Sequence, residues 1–115
     1  MTHARRALGA SGEELVAGWY EARGYRVLDR NWRCQRGELD IVVCRGALVV
    51  FCEVKTRTSD AFGVPAEAVT RTKQARLRRL GAQWLEQAGG RGAGEIRFDV
   101  ASVLGGDVEV IEAAF

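Results

Sequence analysis

The stretch Gly37-Glu38-Leu39-Asp40-Ile41-Val42-Val43-Cys44, the pair Arg45-Gly46 and the run Ala47-Leu48-Val49-Val50-Phe51-Cys52-Glu53-Val54-Lys55-Thr56-Arg57 decide how this 115-residue chain folds. Two runs rich in Val, Ile and Phe meet at a glycine-containing turn, the pattern of a β-hairpin. Leu48 to Cys52 is apolar without interruption, as in a central strand covered on both faces. Strand side chains alternate, so Glu38 and Asp40 share one face of the first run, and Glu53, Lys55 and Arg57 share one face of the second. A two-residue loop at Arg45-Gly46 puts Glu53 across from Glu38 and diagonal to Asp40. All five polar groups then point the same way.

That arrangement is costly by itself. Carboxylates about 5 Å apart repel by roughly 1 kcal/mol in water and several times more where the dielectric is low. Either one carboxyl takes up a proton or a cation sits between them. A hard ion such as Mg²⁺ uses one or two carboxylates plus waters and a substrate phosphate, and those acids are on offer here. Lys55 stands on the same face, within reach of a metal-bound water or of charge developing on a phosphate. The competing reading is a solvated Glu53–Lys55 surface pair, which the apolar run before Glu53 argues against.

The hairpin sits in an α-β-β-β-α-β-β order. Leu8, Leu15, Val16, Trp19 and Ala22 recur at helical spacing over about Ala7 to Arg23, and Gly24 ends that helix. Tyr25 to Trp32 reads as a strand before Gly37 to Cys44 and Ala47 to Thr56. Thr58 to Gly63 reads as a loop. Pro65 suits the first turn of a second helix, which runs to about Ala88 with Val69, Leu77, Leu80, Trp84 and Leu85 inward. Gly89 to Gly94 is a flexible connection, and Ile96 to Leu104 and Val108 to Ile111 are strands joined at Gly105-Gly106. The fold class is α/β, a central sheet with helices packed on it, in one domain spanning residues 1–115.

Composition excludes several function classes. The formal charge of +2 does not by itself indicate nucleic acid. No apolar run approaches a membrane span of about 20 residues. Met1 to Leu8 lacks the apolar core of a signal peptide, so a cytoplasmic protein is expected. Cys34, Cys44 and Cys52 form no C-x-x-C pair and read as free thiols, and with His3 as the one histidine a zinc site is not expected. The glycines at 89–94 do not match a dinucleotide fingerprint, so no nucleotide cofactor is expected. Of the 17 basic residues only Lys55 and Lys73 are lysines, positions where a compact ammonium with a tunable pKa is available.

Gly37-Glu38-Leu39-Asp40-Ile41-Val42, Phe51-Cys52-Glu53-Val54-Lys55-Thr56-Arg57, Phe62-Gly63 and Arg97-Phe98-Asp99-Val100 resemble the signature segments of the YraN family of small bacterial proteins. That family is similar to Holliday-junction resolvases of the PD-(D/E)XK nuclease superfamily. Gly12-Glu13-Glu14-Leu15 and Asn31-Trp32-Arg33-Cys34 fit the same pattern. The resemblance implies a restriction-endonuclease-like core, a mixed four- or five-stranded sheet flanked by helices. It implies Asp40 and Glu53 as ligands of Mg²⁺ or Mn²⁺, the Val54 carbonyl as an extra ligand, and Lys55 serving the attacking water. Glu13 matches a first-helix acid that completes the site in related resolvases, although acids early in a helix also suit its dipole. Glu38 is a further ligand or the partner of an arginine.

Arg71, Lys73, Arg76, Arg78 and Arg79 crowd the second helix, with Lys73 and Arg76 on one face. Beside a carboxylate site they would hold phosphates, aided by Arg36 and Arg57. The leading expectation is a metal-dependent endonuclease acting on branched or distorted DNA, with a homodimer matching a two-fold substrate. The alternative is a nucleic-acid- or protein-binding module that keeps the nuclease fold with weak or no turnover. A third reading takes the charged strand face as solvated surface on an interaction protein.

Overall fold

The computed structural model describes the backbone of residues 2–57, 69–89 and 94–115, and within these spans the side chains from Gly12 onward. The expectations for Thr58 to Gly63, for Pro65, for the Phe62-Gly63 match and for most of the Gly89 to Gly94 connection lie outside the described residues.

Three tight hairpins and one helical crossover organise the sheet. The elements are α1 (Thr2–Glu21), β1 (Arg26–Cys34), β2 (Gly37–Arg45), β3 (Leu48–Arg57), α2 (Arg71–Gln87), β4 (Glu95–Leu104) and β5 (Asp107–Ile111). They form one sheet in the order β1-β2-β3-β4-β5. β3 and β4 are parallel and the other neighbours antiparallel. Parallel neighbours need a crossover, which α2 supplies, whereas Gly105 and Gly106 at φ +58° and +89° close the β4–β5 hairpin in the left-handed conformations such a loop demands. This mixed sheet with its flanking helices has the restriction-endonuclease-like, PD-(D/E)XK-type core.

β3 lies at the centre, as its unbroken apolar run requires. Val50 and Cys52 face α1, packing with Val16, Ala17 and Tyr20, and Val49 and Phe51 face α2, packing with Leu77 and Leu80. Gly81 lets α2 settle on the aromatic layer, since a Cβ there would stand 3.1 Å from the Phe98 ring and 3.2 Å from Phe51. Arg78 does not join the other helix cations but lies over the stacked rings of Phe98 and Phe115.

Asp99 is fully buried on the α1 side. The Tyr20 hydroxyl donates to it at 2.6 Å, Arg97 donates twice at 2.8 and 2.9 Å, and the Ala113 amide donates at 3.0 Å. A buried carboxylate is tolerable only with such saturation, and here the result fastens α1 to β4.

Three sequence expectations change. The β2–β3 loop is Gly46-Ala47 rather than Arg45-Gly46, because Arg45 pairs with Leu48 and Ile41 with Cys52. The shift moves Glu53 two residues along β2, from Glu38 to Asp40; an even shift keeps its face. Helix α1 starts at Thr2, so Glu13 lies about three turns in and the helix-dipole explanation for it falls away. Helix α2 starts at Arg71, not near Pro65, because Thr70 is extended and its hydroxyl caps the Lys73 amide.

Candidate functional site

Asp40 owes its position to a break in strand alternation. Leu39 and Ile41 would share a face in a regular strand, yet Leu39 packs on the α2 side and Ile41 on the α1 side. The β1–β2 pairing steps from Arg30–Ile41 to Trp32–Leu39 across Asn31 and Asp40, and Asn31 has the left-handed φ of 54° that asparagine tolerates. The kink aims Asp40 at β3, where its Oδ2 accepts from the Val54 amide at 2.8 Å.

Glu53 precedes Val54 on β3, and the β2–β3 register sets its carboxyl beside that of Asp40. Burial, opposed by the Val54 amide and reinforced by the Glu53 and Glu13 charges, pushes the Asp40 carboxyl up to about 7. Near neutrality the Asp40 carboxyl thus keeps its proton part of the time, the first of the two ways of relieving the repulsion.

Cations supply the second. Lys55 Nζ is 3.4 Å from Glu53 Oε2, and Lys73 reaches the same oxygen from the first turn of α2 in a shorter ion pair. Crowding by Lys73 and burial hold the Lys55 ammonium below its ordinary pKa despite Glu53. Lys73 shifts upward: burial opposes its charge, but the Glu53 carboxylate outweighs that. Sequence spacing assigned Lys73 to a phosphate-binding face; the fold seats its ammonium on the acid pair.

The remaining site candidates divide. Glu38 is exposed and joined to Arg33 at 2.9 Å, so of its two readings the structure supports the arginine partner. It still lines, with Gly37, Asp40, Glu53, Lys73 and Arg76, a cleft of about 250 Å³. Glu13 is half-buried on α1 and close enough for its charge to act on Asp40. Val54 and Arg57 continue β3 beyond Glu53, with Arg57 at the strand's end. Arg36 lies in the β1–β2 turn rather than at a strand end, opposite Arg79 and Gln83. Among the described residues no group of three or more His, Cys, Asp or Glu side chains is gathered as a metal cage.

The model of the uncharacterised protein family UPF0102 matches residues 12–103, from the α1 segment bearing Glu13 to the end of β4. The chain belongs to the UPF0102 family. This is the YraN family that its motifs resemble. A UPF0102 protein of Beutenbergia cavernae is 55% identical over 101 residues, covering 88% of this chain and 85% of that protein. A relative from Mycolicibacterium vanbaalenii is 52% identical, covering 89% and 84%. One from Acidothermus cellulolyticus is 44% identical over nearly the full length of both chains, 97% and 96%. The segment of the UPF0102 chain that the family model matches contains Asp40, Glu53, Lys55 and Lys73. No helix among its described residues is long and apolar enough to cross a membrane.

Proposed function

We propose that this protein is a DNA-binding module on a nuclease fold, selecting branched or distorted DNA through its phosphate backbone, with hydrolysis weak or absent. The observation that supports it is the ion pair of Lys73 with Glu53. The superfamily's acid position is neutralised from within by the helix that also carries Arg76 and Arg79. Recognition by shape follows from a basic helix with no element built to enter a groove and read base edges. A two-fold dimer would offer two such surfaces to a two-fold junction. The free thiols suit the cytoplasm, where DNA is met.

Metal-dependent phosphodiester cleavage is the second reading, favoured by the raised Asp40 carboxyl, held up by burial and by the nearby Glu53 charge that a cation would relieve. The donor set fits a hard divalent ion: two adjacent carboxylates are what Mg²⁺ or Mn²⁺ takes alongside waters and phosphate. Asp40 and Glu53 would hold the ion, with the Val54 carbonyl and Glu13 as further oxygens. The ion would supply a more acidic water and charge stabilisation at phosphorus. Lys55, with its depressed pKa, would exchange a proton with the attacking water. Lys73 would have to leave Glu53.

Four-way, flapped, linear and single-stranded DNA should be compared for binding and cleavage with Mg²⁺, Mn²⁺ or chelator. Binding of branched DNA with no metal-dependent product is the expected result. Cleavage that disappears in both Asp40→Ala and Lys55→Ala would establish the second reading instead, and failure to bind any DNA would overturn both.

A further inference from the structure

Beside the acid cleft lies a larger trough, about 690 Å³, between the β1–β2 turn and the outer face of α2. Gln35 and Arg36 form one wall, and Arg79, Gln83 and Gln87 the other. The two concavities adjoin through neighbouring residues, Arg36 with Gly37 and Arg79 with Leu80. Lys73, Arg76, Arg79 and Gln83 recur at three- and four-residue steps, so one helix stripe floors the whole path from the acids outward. From Lys73 to Gln83 the stripe rises about 15 Å along the helix axis, enough for a few successive phosphates of one strand.

The chemistry of the lining restricts the occupant. Small-ligand clefts are mainly apolar, whereas this trough presents guanidiniums and amides with one carboxylate, Glu86, at the end far from the acid cleft. Arg36, Arg76 and Arg79 make no ion pair among the described residues, so their charge is available to an anion. No aromatic ring lines it, which excludes a stack of bases as the main attraction and leaves phosphate oxygens and polar edges. At about 690 Å³ the trough is the size of a small-ligand cleft, too small to take in a duplex.

We infer that the trough is a track for one single-stranded DNA arm, held at its phosphates by Arg36 and Arg79 and led to the acid cleft by Arg76. This rests on the DNA-binding reading and specifies its substrate class: duplex with a splayed or unpaired arm. Gln83 and Gln87 contribute amides that can both donate and accept along the strand.

Fluorescence anisotropy on the full chain tests it, using a flush duplex and the same duplex with an unpaired arm of about four nucleotides. The wild type should favour the armed duplex. Arg36→Gln/Arg79→Gln should abolish that preference and lower the slope of log affinity on log salt by about 1.4 on armed DNA, two single-strand phosphate contacts. Arg26→Gln/Arg30→Gln, a charge-matched pair of changes on β1 outside the trough, should leave the preference intact. An unchanged preference in the double variant, or equal wild-type affinity for both DNAs, overturns the strand track alone. A wild type that binds neither DNA overturns the DNA-binding reading as well.

Discussion

Lys73 and Glu53 join the first turn of the crossover helix to the central strand, and they do so at the carboxylate that the cleavage reading assigns to a divalent ion. Lys55 shares the same oxygen at 3.4 Å, so Glu53 already carries two ammonium neighbours. The contact ties α2 to the sheet, and on the cleavage reading its ammonium would compete with a divalent ion for Glu53.

Lys73→Met keeps the aliphatic stem and removes the charge, so Mn²⁺ affinity should rise, on the order of tenfold for an ionic contact of about 1.4 kcal/mol. Titration calorimetry checks this directly. Equal affinity in wild type and variant would mean that Lys73 does not guard the acid pair.

Asp40 sets a pH dependence. Its folded-state pKa, about 7, lies above the unfolded value of 3.8, so between these values the folded state binds the extra proton. Stability is greatest on the acid side and declines as pH rises from about 4 to about 7. For a half-buried group, with solvent screening, the decline is about 1–2 kcal/mol. Denaturant unfolding of Asp40→Asn across this range should remove most of the slope; a slope equal to that of the wild type would place the titration elsewhere.

Asp99→Ala should cost about 3–5 kcal/mol, since it leaves the Arg97 guanidinium and the Tyr20 hydroxyl without their buried acceptor. Tyr20→Phe should cost less, about 1–3 kcal/mol, because one donor is lost and Arg97 still pairs Asp99. Urea unfolding of both variants checks the ranking. A milder effect from Asp99→Ala would show that this cluster does not anchor α1.

Gly81→Ala should destabilise by about 1–3 kcal/mol, because the added methyl meets two ring edges within 3.1–3.2 Å. Helix propensity alone favours alanine by about 1 kcal/mol, so the sign of the measured change decides whether packing wins.

How much of the site was legible depends on the range of each interaction. Glu53 and Lys55 sit two apart on one strand, and their common face follows from alternation. Asp40 was legible as an acid near Glu53 but not as its direct neighbour, because the choice of Gly46-Ala47 over Arg45-Gly46 as the loop shifts the pairing. The kink at Asn31 and Asp40 left only a weak trace, an asparagine suited to positive φ inside a strand. Lys73 was visible as one of two lysines among many arginines, yet nothing local linked it to Glu53. The Asp99 cluster had a signal too, an acid in an apolar strand with Arg97 two residues before it, but the partner hydroxyl comes from α1.

The amino-acid pattern by itself determined the element order, the doubly covered central strand and the spacing of Glu53 and Lys55. Period-two and helical repeats report burial within one element. Register, the break at Asp40, the seating of Lys73 on Glu53 and the trough beside α2 were decided by tertiary structure. Each depends on how residues distant in sequence pack from both faces of the sheet, and a turn displaced by one residue redirects them without altering any local pattern.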